Sequence, residues 1–233
     1  MQIIGMIGGM SWESTAVYYR RINELVKAQL GGLHSARIAM VSIDFQEIER
    51  MQMRGDWKSA GELLAASARA VEAAGADFIV LATNTMHKVA DAIEAGTTIP
   101  LLHIADAAGD AIRASGHARV GLLGTRFVME EAFYVERLKS RFGLDVIVPP
   151  PEDRELVHRV IFDELCLGSI RDASRAEYRR IIADLVTQGA QAVILGCTEI
   201  ALLVSAPDAT VRLFDTTEIH VRAAVARALS PRR

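Results

Sequence analysis

Eight short apolar runs recur along the chain, and a longer stretch of mixed apolar and polar residues follows most of them. Runs that are rich in Ile, Val and Leu and do not strictly alternate are typical of strands buried on both faces of a parallel sheet. We therefore predict eight strands, at residues 3–9, 38–44, 78–83, 99–105, 118–125, 144–150, 192–197 and 211–216.

The stretches between these runs show helical periodicity. Apolar positions from Ala60 to Ala74 recur three and four residues apart and stop at Gly75, and a second stripe from Tyr178 to Val186 stops before Gly189. A glycine directly after such a stripe is a common helix C-terminus. Alternating strands and helices predict an α/β protein whose parallel strands are joined by right-handed crossovers.

The second half of the chain repeats the first at a spacing of about 114 residues. Ala76 matches Ala190 and Thr83 matches Cys197, and both pairs differ by 114 positions. Self-similarity of this kind indicates a duplicated unit. We expect two pseudo-symmetric α/β lobes, each a four-stranded parallel sheet flanked by helices, with the active site between them. The predicted lobes are residues 1–103 plus 215–233, and residues 104–214.

Composition and charge exclude several classes of function. The 233 residues are 51% hydrophobic and 24% charged with a formal net charge of -3, so we expect no binding to nucleic acid or to a membrane surface. No apolar run approaches the roughly 18 residues that cross a bilayer. The opening MQIIGMIGGM lacks a basic segment, which favours a first strand over a secretory signal. We expect a cytoplasmic protein.

The cysteine, histidine and glycine patterns predict neither a metal nor a cofactor. Cys166 and Cys197 have no metal-ligand spacing, and the six histidines do not pair four residues apart. GMIGGMS lacks both the G-x-G-x-x-G spacing and a P-loop lysine. Gly8 and Gly9 are expected instead to let the backbone approach a ligand or a neighbouring strand.

Polar residues stand directly after several predicted strands, where ligands bind in open parallel sheets. Cys197 follows a buried run, and a helix that starts beside it is expected to lower the thiol pKa and make it a base or nucleophile. Cys166 has the simpler interpretation of a small apolar side chain. The Thr and Asn residues are either helix caps or, flanking a thiol, a cradle for a small carboxylate. The tip residues are Thr83, Asn84, Thr85, Thr125, Cys197, Thr198 and Glu199.

Three separated motifs, GGMSWEST at 8–15, TNTMH at 83–87 and GCTEI at 196–200, together resemble the aspartate/glutamate racemase family. The resemblance runs over essentially the whole chain. It implies racemisation of aspartate or glutamate without a cofactor, by one residue on each side of the substrate Cα, and an assembly that is a homodimer. By the resemblance these two residues are Thr83 and Cys197, while Met10 and Gln52 line the cleft. The groups expected to hold the substrate carboxylate and ammonium are Asn84, Thr85, Thr125, Thr198 and Glu199.

Thr83 departs from the family pattern, in which cysteine is common at both catalytic positions, and resembles a branch that acts on L-aspartate and L-glutamate. A thiol near pKa 8.5 is a workable base, but an aliphatic hydroxyl, whose pKa is far higher and similar to that of water, is not. Some relatives also carry a lysine near the stretch ELCLG, where this chain has Cys166. Arg50, Arg54 and Lys88 are the alternative partners for the substrate's second carboxylate.

Two other functions fit the same residues. A cofactor-free decarboxylase of malonate-type substrates also needs a single cysteine, which protonates a carbanion, and it tolerates a non-basic residue opposite. A non-catalytic amino-acid-binding module is the other alternative, and an unreactive Cys197 together with binding of aspartate would favour it.

Overall fold

Eight parallel strands form two separate four-stranded sheets in the computed structural model, which describes residues 1–231. The predicted fold class, two parallel sheets flanked by helices, is confirmed. One unit comprises Met1–His103 and the chain from His220 onward, and the other comprises Ile104–Ile219. The chain returns to the first unit at His220, whereas the predicted boundary was residue 215. Residues 232 and 233 of the predicted first lobe lie outside the described residues.

The first unit has the strand order β2-β1-β3-β4. Each of these strands falls within a predicted run, and two consecutive strands are joined by at least one helix. Its elements are β1 Ile4–Gly8, α1 Trp12–Leu30, β2 Ile38–Ser42, α2 Phe45–Arg54, α3 Trp57–Ala73, β3 Phe78–Leu81, a 3₁₀ helix Thr85–Val89, α4 Ala90–Ala95 and β4 Leu101–Leu102.

Both faces of this first sheet are covered, which explains its continuous apolar runs. Ile7 and Ile79 belong to a core formed with α3, while Met6 and Val80 belong to a second core formed with α1 and the C-terminal helix. Side chains of neighbouring strand residues point to opposite faces, so each strand supplies both cores. Ser11 caps α1 by accepting a hydrogen bond from the Ser14 backbone N–H.

The second unit has the strand order β6-β5-β7-β8, the same order shifted by four strands. Its elements are α5 Ile104–Ala114, β5 Arg119–Gly124, α6 Arg126–Glu130, α7 Ala132–Phe142, β6 Asp145–Ile147, α8 Pro151–Asp163, a 3₁₀ helix Leu165–Leu167, α9 Asp172–Thr187, β7 Ala192–Gly196, α10 Ile200–Leu203, a 3₁₀ helix Ala206–Asp208 and β8 Arg212–Asp215. The last helix, α11 Thr216–Leu229, begins in this unit and from His220 onward belongs to the first unit.

The predicted helix-terminating glycines lie where the periodicity placed them. Gly75 has φ +86° and follows α3, and Gly189 has φ +97° and follows α9. Both backbones occupy the region that residues with a Cβ rarely adopt. Within residues 1–231, no helix combines the length and hydropathy required to span a bilayer.

Candidate active site

Thr83, Asn84 and Thr85 are buried just beyond the carboxyl end of β3. Parallel pairing with β1 continues one residue past the strand, since the Ala82 N–H donates to Ile7 O at 2.9 Å. Asn84 precedes the 3₁₀ helix but makes no side-chain capping hydrogen bond to it. The capping interpretation therefore does not account for this buried amide.

His87 stabilises the turn that carries Thr83, a contact that the sequence analysis did not foresee. Its Nδ1 lies 2.8 Å from the Thr83 carbonyl oxygen, which only accepts, so Nδ1 carries the proton and donates. His87 is 2% exposed and its ring centroid lies 4.4 Å from that of His103. The spacing of four residues in TNTMH was the available signal for this contact.

A third buried histidine, His220 of α11, packs behind the same turn, with its ring centroid 6.1 Å from that of His87. Its Nε2 donates to Leu102 O at 2.8 Å, and its Nδ1 lies 3.0 Å from the Tyr18 hydroxyl. Burial lowers the pKa of His220 to about 4. The imidazole is therefore neutral at physiological pH, and Nδ1 accepts from Tyr18.

The turn after β1 needs glycine for two reasons, its backbone conformation and the predicted close approach to a neighbouring strand. Gly9 has φ +92°, and a Cβ added there would lie 2.1 Å from Ile43 O, the residue after β2. Its N–H donates to Thr15 Oγ1 at 2.8 Å. Met10 follows directly and is 3% exposed. Because β1 lies beside β3, this turn and Thr83 share the carboxyl edge of the first sheet.

Gln52 projects from α2 and is 4% exposed. One side of its amide lies 3.0 Å from Met86 Sδ. A thioether only accepts, so the NH₂ group faces the sulfur. Oε1 is buried and has no hydrogen-bond partner among the described residues. An unpaired buried acceptor is costly, and a bound donor satisfies it.

Cys197 is buried just after β7, at the position of the second sheet that corresponds to Thr83 in the first. Its Sγ donates to Glu199 Oε2 at 3.0 Å. The Thr198 hydroxyl donates to the same oxygen at 2.6 Å. Glu199 is 2% exposed and precedes α10 without capping it. The second unit thus brings a thiol, a hydroxyl and a carboxylate together within three consecutive residues.

The expected lowering of the Cys197 pKa is wrong for this structure. Burial raises the thiol pKa well above its ordinary value, and the negative charge of Glu199 raises it further. The following helix, α10, spans only Ile200–Leu203 and does not outweigh these two effects. The thiol is therefore protonated at neutral pH in the unliganded protein.

Thr125 and Cys166 also occupy the second unit. Thr125 is the residue before α6, and its hydroxyl accepts from the Val128 N–H at 3.4 Å, so it is a helix cap in the unliganded protein. Cys166 lies in the 3₁₀ helix after α8 and is partly buried against the core of this unit.

Strong cations are not part of either buried strand edge. No lysine or arginine among residues 1–231 is buried. Arg50 and Arg54 are exposed, and the Lys88 ammonium lies over the Trp57 ring, 3.8 Å from its centroid. Nor does this part of the chain hold three or more His, Cys, Asp or Glu side chains grouped as metal ligands.

Duplicated parallel sheets with buried polar residues at the carboxyl ends of their strands define an α/β protein with a small-molecule site. A model of the Asp/Glu/Hydantoin racemase family matches residues 7–224. The chain therefore belongs to the Asp/Glu/hydantoin racemase family. The glutamate racemase of Pseudomonas aeruginosa is 33% identical over 126 residues, 53% of this chain and 46% of that enzyme. The glutamate racemase of Pseudomonas paraeruginosa is 33% identical over 66% of this chain and 57% of its own length, so the chain spans about half the length of these curated relatives.

Solved structures agree with this assignment over nearly the whole chain. A Yersinia pestis protein assigned as an Asp/Glu racemase is 57% identical with a TM-score of 0.92, over 99% of this chain and 100% of that one. An aspartate racemase homologue from Pyrococcus horikoshii OT3 is 34% identical with a TM-score of 0.85, also over 99% and 100%. The aspartate racemase of Picrophilus torridus, 19% identical with a TM-score of 0.79 over 100% and 96%, shares the fold.

Proposed function

We propose that the protein is an isomerase, an amino-acid racemase that acts on aspartate or glutamate without a cofactor. In this proposal Cys197 removes or returns the Cα proton on one face of the substrate, and Thr83 does so on the other. The observation that carries the proposal is a buried thiol after β7, held by a carboxylate, at the position equivalent to a buried hydroxyl after β3. Family membership supports the reaction class.

Thr83 makes the two half-reactions unequal. Burial raises the pKa of the Cys197 thiol, but an aliphatic hydroxyl, which resembles water in acidity, ionises far less readily than a thiol. Thr83 is therefore a proton donor that rarely exists as an alkoxide. Because enantiomers have equal free energies, kcat/KM must be equal in both directions. The hydroxyl slows inversion of both enantiomers, while proton exchange through Cys197 stays fast on one.

Neutral donors and acceptors hold the substrate in this proposal. The unpaired Oε1 of Gln52 supports a role as acceptor for the substrate ammonium, and buried Met10 is proposed to line the same cleft. Carboxylate oxygens are bound by neutral groups, since neither strand edge buries a lysine or arginine. Those groups are Asn84, Thr85, Thr125, Thr198 and the backbone N–H groups around Glu199.

Incubation in deuterated water tests the proposal directly. The protein is mixed separately with L- and D-aspartate and L- and D-glutamate, and each sample is analysed for Cα deuterium and for chirality. We expect rapid deuterium incorporation into the L-enantiomer of the preferred substrate and slow inversion of either enantiomer. Equal rates of exchange and inversion from L-aspartate contradict the unequal roles of Cys197 and Thr83, and no exchange with any of the four contradicts the racemase.

One observation favours a second candidate, the cofactor-free decarboxylase of malonate-type substrates. Burial and Glu199 raise the pKa of the Cys197 thiol, so it is protonated at rest and suited to donate a proton to a carbanion. Release of CO₂ from a substituted malonate, without exchange of amino-acid Cα protons, distinguishes this function from racemisation.

The proposed assembly is a homodimer, as the resemblance implies. Sedimentation equilibrium then gives a mass of about 51 kDa, twice the 25.4 kDa of one chain. A mass that stays at that of one chain across micromolar concentrations contradicts it.

A further inference from the structure

The carboxylate of Glu199 has a geometry that substrate binding alone does not explain. One of its oxygens, Oε2, accepts both the Cys197 thiol at 3.0 Å and the Thr198 hydroxyl at 2.6 Å. The carboxylate is almost fully buried yet does not cap α10. One of its two hydrogen-bond donors is thus the thiol that has to lose a proton before it acts as a base.

We propose that Glu199 is a positioning residue that takes the proton of the Cys197 thiol, so that the thiol and the carboxylate share one proton. The step is balanced within the pair. The S–H bond breaks, an O–H bond forms on Oε2, and the net charge of the pair stays at -1. The thiolate then removes the substrate's Cα proton and becomes a thiol again. This inference rests on the proposed racemase, but the sharing itself does not require a substrate.

Electrostatics favour one shared proton over none. A thiolate beside a carboxylate places two negative charges in a buried site, whereas a protonated partner leaves one. Thr198 donates to the oxygen that receives the proton, which holds Oε2 towards the sulfur. The proton therefore has a short path between two fixed atoms, with no need to leave the site.

Other titratable groups lie on the elements around this pair. Cys166 from the 3₁₀ helix after α8 adds to the rise in the thiol pKa. Tyr178 of α9 has its own pKa raised well above the ordinary value, by burial and by the charges of Cys197 and Glu164, so it stays neutral. Asp215 ends β8 beside β7, and burial raises the pKa of its carboxyl.

The proposal predicts an unusual dependence of rate on pH. If the active form only redistributes one proton inside the pair, the exchange rate of wild type stays nearly constant across neutral pH. In Glu199→Gln the amide does not take the proton, so activity requires an ionised thiol and rises about tenfold per pH unit up to the thiol pKa. Thr198 stays in place in this variant, which isolates the loss of the proton acceptor.

The measurement is made in a Cys166→Ser background, so that Cys197 is the one remaining thiol of the two in the chain. Deuterium exchange into the Cα of L-aspartate is measured against pH in this background, with Glu199 intact and with Glu199→Gln. The Cys197 thiol of both proteins is titrated by its thiolate absorbance and by its reaction with iodoacetamide. Glu164→Gln is the matched control, because it removes a nearby carboxylate that accepts from Ser174. Glu199→Asp, which keeps a carboxylate, is expected to restore a flatter profile.

Several outcomes decide the proposal. A wild-type exchange rate that itself rises about tenfold per pH unit overturns it, even when Glu199→Gln does not fold. At neutral pH we expect Glu199→Gln to alkylate about tenfold faster or more, because the neighbouring negative charge is gone, and Glu164→Gln to change little. If the Cys197 thiol titrates identically in Glu199→Gln and in wild type, the proposal is overturned. If the thiol titration shifts in Glu199→Gln but the protein exchanges no amino-acid Cα proton, the coupled pair stands and only the racemase function is refuted.

Discussion

His220 is expected to make the first unit sensitive to mild acid. Its imidazole is fully buried between Tyr18 and Leu102, and its pKa falls from the ordinary 6.5 to about 4. Because the folded-state pKa lies below the unfolded one, the unfolded chain binds more protons in this window. Stability attributable to this histidine is therefore complete above about pH 6.5, declines as pH falls, and levels off below about pH 4.

The size of the effect follows from that difference. At pH 5 the unfolded imidazole is largely protonated and the folded one is largely neutral, which lowers the free energy of unfolding by about 2 kcal/mol relative to pH 7.5. His220→Gln removes the titration but keeps an N–H that reaches towards Leu102 O. The variant is less stable than wild type near pH 7.5 by about 1 to 3 kcal/mol, since Tyr18 loses its acceptor.

Urea unfolding at pH 7.5 and pH 5 measures this difference through tryptophan fluorescence. Both tryptophans, Trp12 and Trp57, lie in the unit that contains His220. From pH 7.5 to pH 5, the free energy of unfolding of wild type should fall by about 2 kcal/mol more than that of His220→Gln. His34→Gln, at an exposed position of the same unit, serves as the control and should follow wild type. Equal losses in wild type and His220→Gln would refute a neutral buried His220.

Two further predictions concern Gly9 and Thr83. Gly9→Ala should destabilise the fold by several kcal/mol, since its Cβ would lie 2.1 Å from Ile43 O. Gly116→Ala, with φ +79° and nothing within 4 Å, should cost only about 1 to 2 kcal/mol in urea unfolding. Similar losses in the free energy of unfolding for Gly9→Ala and Gly116→Ala contradict the close contact of Gly9 with Ile43. Thr83→Cys should speed inversion of L-aspartate by chiral analysis about tenfold or more, because a thiol replaces a poor base, and an unchanged rate in a folded variant contradicts the two-residue assignment.

Much of the fold was predictable because local patterns determine it. All eight observed strands lie inside the predicted apolar runs, from Ile4–Gly8 to Arg212–Asp215. A strand that is covered on both faces must be apolar at nearly every position, so its signal needs no knowledge of its neighbours. The glycines that end α3 and α9 were predictable for the same local reason, since each has a positive φ.

The environment of the candidate site was less predictable, because it depends on contacts between distant segments. His87, His103 and His220 come together from three separate parts of the chain, and periodicity does not reveal such a cluster. The pKa of Cys197 was predicted in the wrong direction for a related reason. The expectation rested on the following helix, whereas full burial and the carboxylate of Glu199 determine the result.

A raised thiol pKa and a role as base are compatible when the proton has a nearby destination. A buried thiol with no acceptor has to release its proton to solvent, and the cost grows with every unit by which the pKa is raised. In the proposed mechanism, the hydrogen bond from Cys197 to Glu199 replaces that release by a direct proton transfer, in which the number of charges does not change. Burial raises the free energy of an isolated thiolate, whereas a proton transfer between the two adjacent groups leaves the number of buried charges unchanged. On the side of Thr83 the nearest observed support is different, since His87 donates to its backbone carbonyl and holds the turn. In the proposed racemase, the two strand ends therefore differ in the partners of the proton-carrying group as well as in the group itself.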